Sequence, residues 1–78
     1  MKEFQIYLRS VQQVLSFVSL ATSRDFPVYV YGKHHRVNGK SFMEMFSLNL
    51  CRPVKVTVEC TDEEYEAFLR EAERFLVK

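Results

Sequence analysis

The chain has 78 residues, of which 47% are hydrophobic and 14% aromatic, and a formal net charge of +1. That length leaves room for one domain over 1–78 and buries only about 60% of the unfolded surface, which argues against a deep, enclosed active site. The apolar content argues against disorder, and the near-neutral balance points to no polyanionic partner. Charge is uneven along the chain: residues 1–58 carry +5 and residues 59–78 carry −4.

The first stretch, "EFQIYLR", alternates strictly, with Phe4, Ile6 and Leu8 on one side and Gln5, Tyr7 and Arg9 on the other. Period two is the mark of a half-buried strand. "SVQQVLSFVSLATS" then switches to helical spacing, with Val11, Val14, Leu15, Val18 and Ala21 predicted along one buried face. Ser10 followed by Gln13 has capping-box spacing, which satisfies free N–H groups at a helix start. "FPVYVYG" returns to alternation: Phe26, Val28 and Val30 inward, Tyr29 and Tyr31 outward. Pro27 cannot donate a ladder bond and belongs at the start or edge of that strand.

"GKHHRVNGK" reads as a hairpin or short return strand, and "SFMEMFSL" as a short middle helix capped by Ser41 and Glu44. "VKVTVEC" alternates again, with Val54, Val56, Val58 and Cys60 inward. "TDEEYEAFLREAERFLVK" closes the chain as a helix, with a box at Thr61 and Glu64 and acids in the first turn, where the helix dipole favours them. Its buried stripe is Tyr65, Phe68, Leu69, Ala72, Phe75 and Leu76, and Glu66 stands four residues before Arg70, the spacing of a helical ion pair.

The order β-α-β-β-α-β-α predicts an α+β fold in two layers, with three helices on one face of a largely antiparallel four-stranded sheet. The first β-α-β unit is expected to cross over right-handed. Two cysteines, Cys51 and Cys60, make no disulfide scaffold, and their spacing gives weak support for a metal, so no metal site and no cofactor are expected. No signal peptide is evident, and no apolar run nears the roughly 18 residues of a membrane span. A cytoplasmic, reduced setting is the expectation.

From Gly39 to about Leu69 the chain resembles HPr, the histidine-containing phosphocarrier family of the bacterial sugar phosphotransferase system. "KSFMEMFSLNL" is similar to the family's regulatory serine followed by two apolar residues and "MSLGI", and "VKVTVECTDEEYEAF" runs as the family's last strand and helix do. Asn49 stands where the family has glycine; asparagine is the next most tolerant residue of left-handed backbone. Residues 1–38 match in element order and hydrophobic phase more than in letters. The resemblance implies an HPr-like open-faced β-sandwich.

It also implies a phosphoacceptor histidine at the start of the first helix, within Gly-x-His-x-Arg-Pro, and here the chain departs. The corresponding stretch "YLRSVQQVL" has no histidine, glycine or proline, and Arg9 or Ser10 falls in the histidine's slot. Phosphoryl relay needs an imidazole nitrogen beside donors that hold the phosphoryl oxygens, and a serine phosphate is a far poorer donor. Carriage of phosphohistidine through this junction is therefore expected to be absent. His34 and His35 belong to the basic hairpin and read as exposed turn residues.

Ser41 reads first as a helix cap. The resemblance adds a second role, phosphorylation by an ATP-dependent kinase, with Lys40 as a neighbouring cation. A short helix cannot bury Phe42, Met43, Met45, Phe46 and Leu48 together. With Met45, Leu48 and Leu50 inward, Phe42, Met43 and Phe46 are left as a protein-docking surface beside the first helix's start. The expected partner is a protein, such as HPr kinase or a transcriptional regulator. The family includes a regulatory relative that lacks the histidine and keeps the serine.

The alternative is a small single-stranded nucleic-acid binder, using Tyr7, Tyr29 and Tyr31 on the outer sheet face with Arg9, Lys55 and the basic hairpin. Against it stand the missing RNP signature and a pI near 7.8. No phosphate-cradling glycine loop and no nucleophile beside a base are present, so neither enzymatic activity nor a small-molecule substrate is expected.

Overall fold

The computed structural model describes residues 2–32, 35–48 and 52–76. Its elements are β1 (Lys2–Ile6), α1 (Val11–Thr22), β2 (Val28–Tyr31), β3 (Arg36–Asn38), α2 (Phe42–Met45), β4 (Val54–Val58) and α3 (Asp62–Glu71), followed by a 3-10 turn over Glu73–Phe75. His34, Asn49, Leu50 and Cys51 fall outside the described residues. The predicted final helix stops short: beyond Glu71 the chain tightens, and Leu76 forms an antiparallel bridge to Ile6.

The sheet is antiparallel throughout, in the order β1-β4-β2-β3. The last strand in sequence therefore enters the middle, and β1 and β2 run parallel to each other on either side of it. Register explains why β4 belongs there. Its valines complete apolar rows on the inner face: Phe4 opposes Val56, Val56 opposes Val30, and Val30 opposes Val37. A strand whose inward positions are all β-branched suits two-sided pairing. Shifting it by one residue would turn those valines to solvent, so the register is strongly fixed. Thr57, outward by alternation, is only 4% exposed because Glu3 and Tyr29 flank it on the neighbouring strands.

The helices cover the valine face. In α1 the buried residues are Val14, Phe17 and Ala21, with Val18 and Leu20 partly buried. This corrects the predicted stripe, since Val11 and Leu15 are exposed. Phe17 takes the inward place because it meets two rings edge-on, Phe68 at 6.3 Å and Phe75 at 6.0 Å between centroids. Phe68 also touches Phe4 at 5.9 Å and Phe26 at 5.7 Å. In α3, Phe68 is buried, as are Ala72 and Phe75 beyond it, while Tyr65, Leu69 and Leu76 are half-buried.

Side chains tie the start of α3 to β1. Thr61 and Glu64 make both bonds of the capping box, at 3.1 and 3.0 Å. Lys2 pairs with Asp62 and lies over the Tyr65 ring, whose hydroxyl donates to the Glu3 carbonyl at 3.1 Å. The anticipated Glu66–Arg70 pair is not among the ion pairs of the described residues; near the helix end, Glu71 pairs instead with Arg24.

Two outcomes follow from this packing. Phe68→Ala should lower stability by about 3–5 kcal/mol in urea denaturation, the range for emptying an aromatic core site. The second concerns acid. A hydrogen bond and charge from Lys2 hold the Asp62 carboxyl below its ordinary 3.8. Its contribution is present above that value and lost as pH falls through the lower folded one. Asp62→Asn should flatten the acid limb of a stability–pH profile below about pH 4, and an unchanged limb would show the pair contributes nothing. Lys2, raised above 10.5 chiefly by its bond to Asp62, gives the alkaline mirror image, lost as pH rises through the folded value.

Candidate functional site

The junction between β1 and α1 is short and closed by its own side chains. Leu8 is buried and pulls the chain inward, and Tyr7 N–H donates to the Phe75 carbonyl at 2.7 Å. Only Arg9 and Ser10 then remain before the helix. Ser10 is extended, its hydroxyl accepts from Gln13 N–H at 3.2 Å, and Gln13 Oε1 accepts from Arg9 N–H at 2.6 Å. The predicted box is thus displaced by one residue: Gln13 reaches the residue before the cap. The Arg9 guanidinium lies 5.2 Å from the Tyr7 ring centroid. Arg9 and Ser10, which the resemblance led us to expect in the phosphoacceptor's slot, are both exposed at this turn. His35 sits in the β2–β3 connection, with Nε2 3.2 Å from Ser47 Oγ.

At α2, Ser41 caps as predicted, though loosely: its hydroxyl accepts from Glu44 N–H at 3.4 Å. The reciprocal half of the box is replaced, because Ser41 N–H donates to the Asn38 carbonyl at 3.0 Å. Lys40 is also not a free neighbouring cation. Its ammonium donates to the Arg24 carbonyl at 2.7 Å, which ties the turn before α2 to the end of α1. With Glu44 in the first turn, the surroundings of Ser41 are less cationic than the sequence suggests.

Met45 and Leu48 anchor this segment in the core. Leu48 packs so closely on Gly32 that a Cβ there would stand 2.6 Å from Leu48 Cδ2. The remaining apolar residues face outward, with Met43 81%, Phe46 38% and Phe42 37% exposed. Phe42 and Phe46 meet edge-on at 4.4 Å across one turn. Val11 and Leu15, at 54% and 45%, stand on α1, which packs against α2. These five are the exposed large hydrophobics among the described residues, and all come from these two helices. The sequence reading assigned Val11 and Leu15 to the core. The missed signal was the width of the apolar arc, since Val11, Val14, Leu15, Phe17, Val18 and Ala21 cover more of the helix than one sheet face can accept.

On the outer sheet face, Tyr29 and Tyr31 are half-buried beside cations. Arg36 lies 4.5 Å from the Tyr29 ring centroid, and Lys55 lies 5.2 Å from that of Tyr31 while reaching Glu3 at 3.7 Å. The rings are therefore already covered by the protein's own cations, which a stacking base would first have to displace. Cys60 is half-buried, and burial, helped by Glu64, pushes its thiol upward, away from a reactive thiolate. Among the described residues no group of three His, Cys, Asp or Glu is placed to hold a metal, and no helix is long and apolar enough to cross a membrane.

Residues 12–78 match the family model described as "PTS HPr component phosphorylation site", a span that opens just past Arg9 and Ser10. Among solved structures, the chain is similar to HPr-C-His from Thermoanaerobacter tengcongensis, at 26% identity and a TM-score of 0.73, with 92% of this chain and 90% of that chain covered. No curated protein matches by sequence. The chain belongs to the HPr family, the phosphocarrier family of the phosphotransferase system.

Proposed function

We propose that this member of the family does not relay phosphoryl groups through its strand–helix junction and works by protein contact, as a regulatory or interaction module of the cytoplasm. The observation that carries the reading is the concentration of exposed apolar side chains on α1 and α2, with Met43 81% exposed at the centre of the short helix. Solvent-facing methionine and phenylalanine lose nothing of their own hydrogen bonding on contact and adapt to a partner's shape. The junction supports the same reading: Tyr7 to Leu15 contain no imidazole, the Arg9 N–H is taken by Gln13 Oε1, and the Ser10 hydroxyl accepts from Gln13 N–H.

Ser41 is the candidate for regulation. Its hydroxyl would attack the γ-phosphoryl of ATP, release ADP and give its proton to a base of the kinase. The α2 surface formed by Phe42, Met43 and Phe46 is where that kinase, or a transcriptional regulator, would dock.

Two measurements test this. Incubation with phosphotransferase enzyme I and phosphoenolpyruvate should leave no phosphohistidine by mass spectrometry, and a phosphoryl group on His34 or His35 would overturn the reading. HPr kinase with ATP should add one phosphate that Ser41→Ala abolishes, at a stability cost of about 1 kcal/mol or less given the long cap bond. Met43→Asp should slow that transfer by about tenfold, while stability stays within roughly 0.5 kcal/mol, as befits a surface site. Absence of any incorporation would remove Ser41 from the proposal.

A further inference from the structure

Beside the end of the sheet lies an open groove of about 760 Å³ that contains none of Arg9, Ser10, Ser41 or the exposed residues of α2. Its volume falls within the range of small-molecule sites, roughly 300–1,000 Å³. Two cations from one stretch of chain line it, Arg52 on the approach to β4 and Lys55 from β4 itself, and His35 of the β2–β3 connection borders it too. No carboxylate is among the described lining residues. The apolar part of the wall is made by Leu48, Pro53 and Val54, with Tyr31 beside them under Lys55.

We propose that this groove binds a small phosphomonoester carrying a planar or apolar group. The cations suit a phosphate: arginine offers a bidentate fork and lysine a point charge, and a recess strengthens both relative to open water. His35 borders the same groove, with its ring held against Ser47. The Ser47 hydroxyl spends its hydrogen on the Glu44 carbonyl at 2.6 Å, so its oxygen accepts from His35 Nε2 at 3.2 Å. This contact anchors the imidazole to the loop after α2. Leu48, Pro53 and Val54 supply the surface that an organic group needs and a bare ion does not. Lys55 is shared with Glu3 at 3.7 Å and remains about half exposed, so a phosphate competes there with one weak surface pair. This proposal is independent of the docking surface on α1 and α2.

The test is an amide NMR titration of the full chain with phenyl phosphate and, separately, with inorganic phosphate. Binding should produce saturable shifts at Gln5, Tyr31, Ser47 and Lys55. Phenyl phosphate should bind more tightly than inorganic phosphate, and an Arg52→Gln, Lys55→Gln double variant should weaken it by about tenfold or more. Unshifted core amides such as Val14 and Ala72 would certify that the variant is folded. Shifts spread equally over Arg9, Arg36 and Arg74, or an affinity unchanged in the variant, would overturn the site. Equal affinity for the two anions would overturn the organic part. A phosphoserine peptide that bound more tightly than phenyl phosphate would place the ester on a protein and overturn a small-molecule ligand.

Discussion

The contact of Phe68 with Phe4, Phe17 and Phe26 is the interaction on which the arrangement rests. A sheet with one valine-rich face must be covered, and a chain of 78 residues has few large side chains with which to do it. Phe68 sits where strand β1, helix α1 and the turn before β2 converge on α3. Phe17 extends the cluster to Phe75, which brings the chain's last turn down onto the same layer. Tilted and edge-on rings at these separations add directional attraction to burial, so the cluster fixes rotation as well as distance.

The surface composition is a consequence of that rotation. Once Phe17 points at Phe68 and Phe75, the geometry of a helix sends Val11 and Leu15 toward α2 and solvent. Helix α2 is too short to cover them. Its own anchors, Met45 and Leu48, take the inward positions and leave Phe42, Met43 and Phe46 outside. The exposed apolar patch is thus the residue of a packing problem solved elsewhere, and it costs the fold little to keep.

The same separation accounts for the tolerance of the junction. Stability comes from the rings and the valine rows, whereas the β1–α1 turn needs only to close its own hydrogen bonds. Ser10 and Gln13 do so locally, at 3.2 and 2.6 Å. The placement of β4 has a comparable effect at the sheet's end, where it brings Arg52 and Lys55 beside His35 of the β2–β3 connection.

Strand and helix positions, the caps at Ser10, Ser41 and Thr61 and the two-layer class were legible in the sequence, because periodicity and capping are set by residues within a turn or two. Three features were not. The choice of Phe17 over Val11 and Leu15 could not be read, since both arcs obey helical spacing and share Val14, Val18 and Ala21; only the distant rings break the tie. The engagement of Lys40 with Arg24, 16 residues away, likewise required the fold. So did the groove, where Arg52 and Lys55 meet the remote His35 because β4 pairs with β2. Local pattern determined which segments could be buried; contacts between remote segments decided which face of each one was.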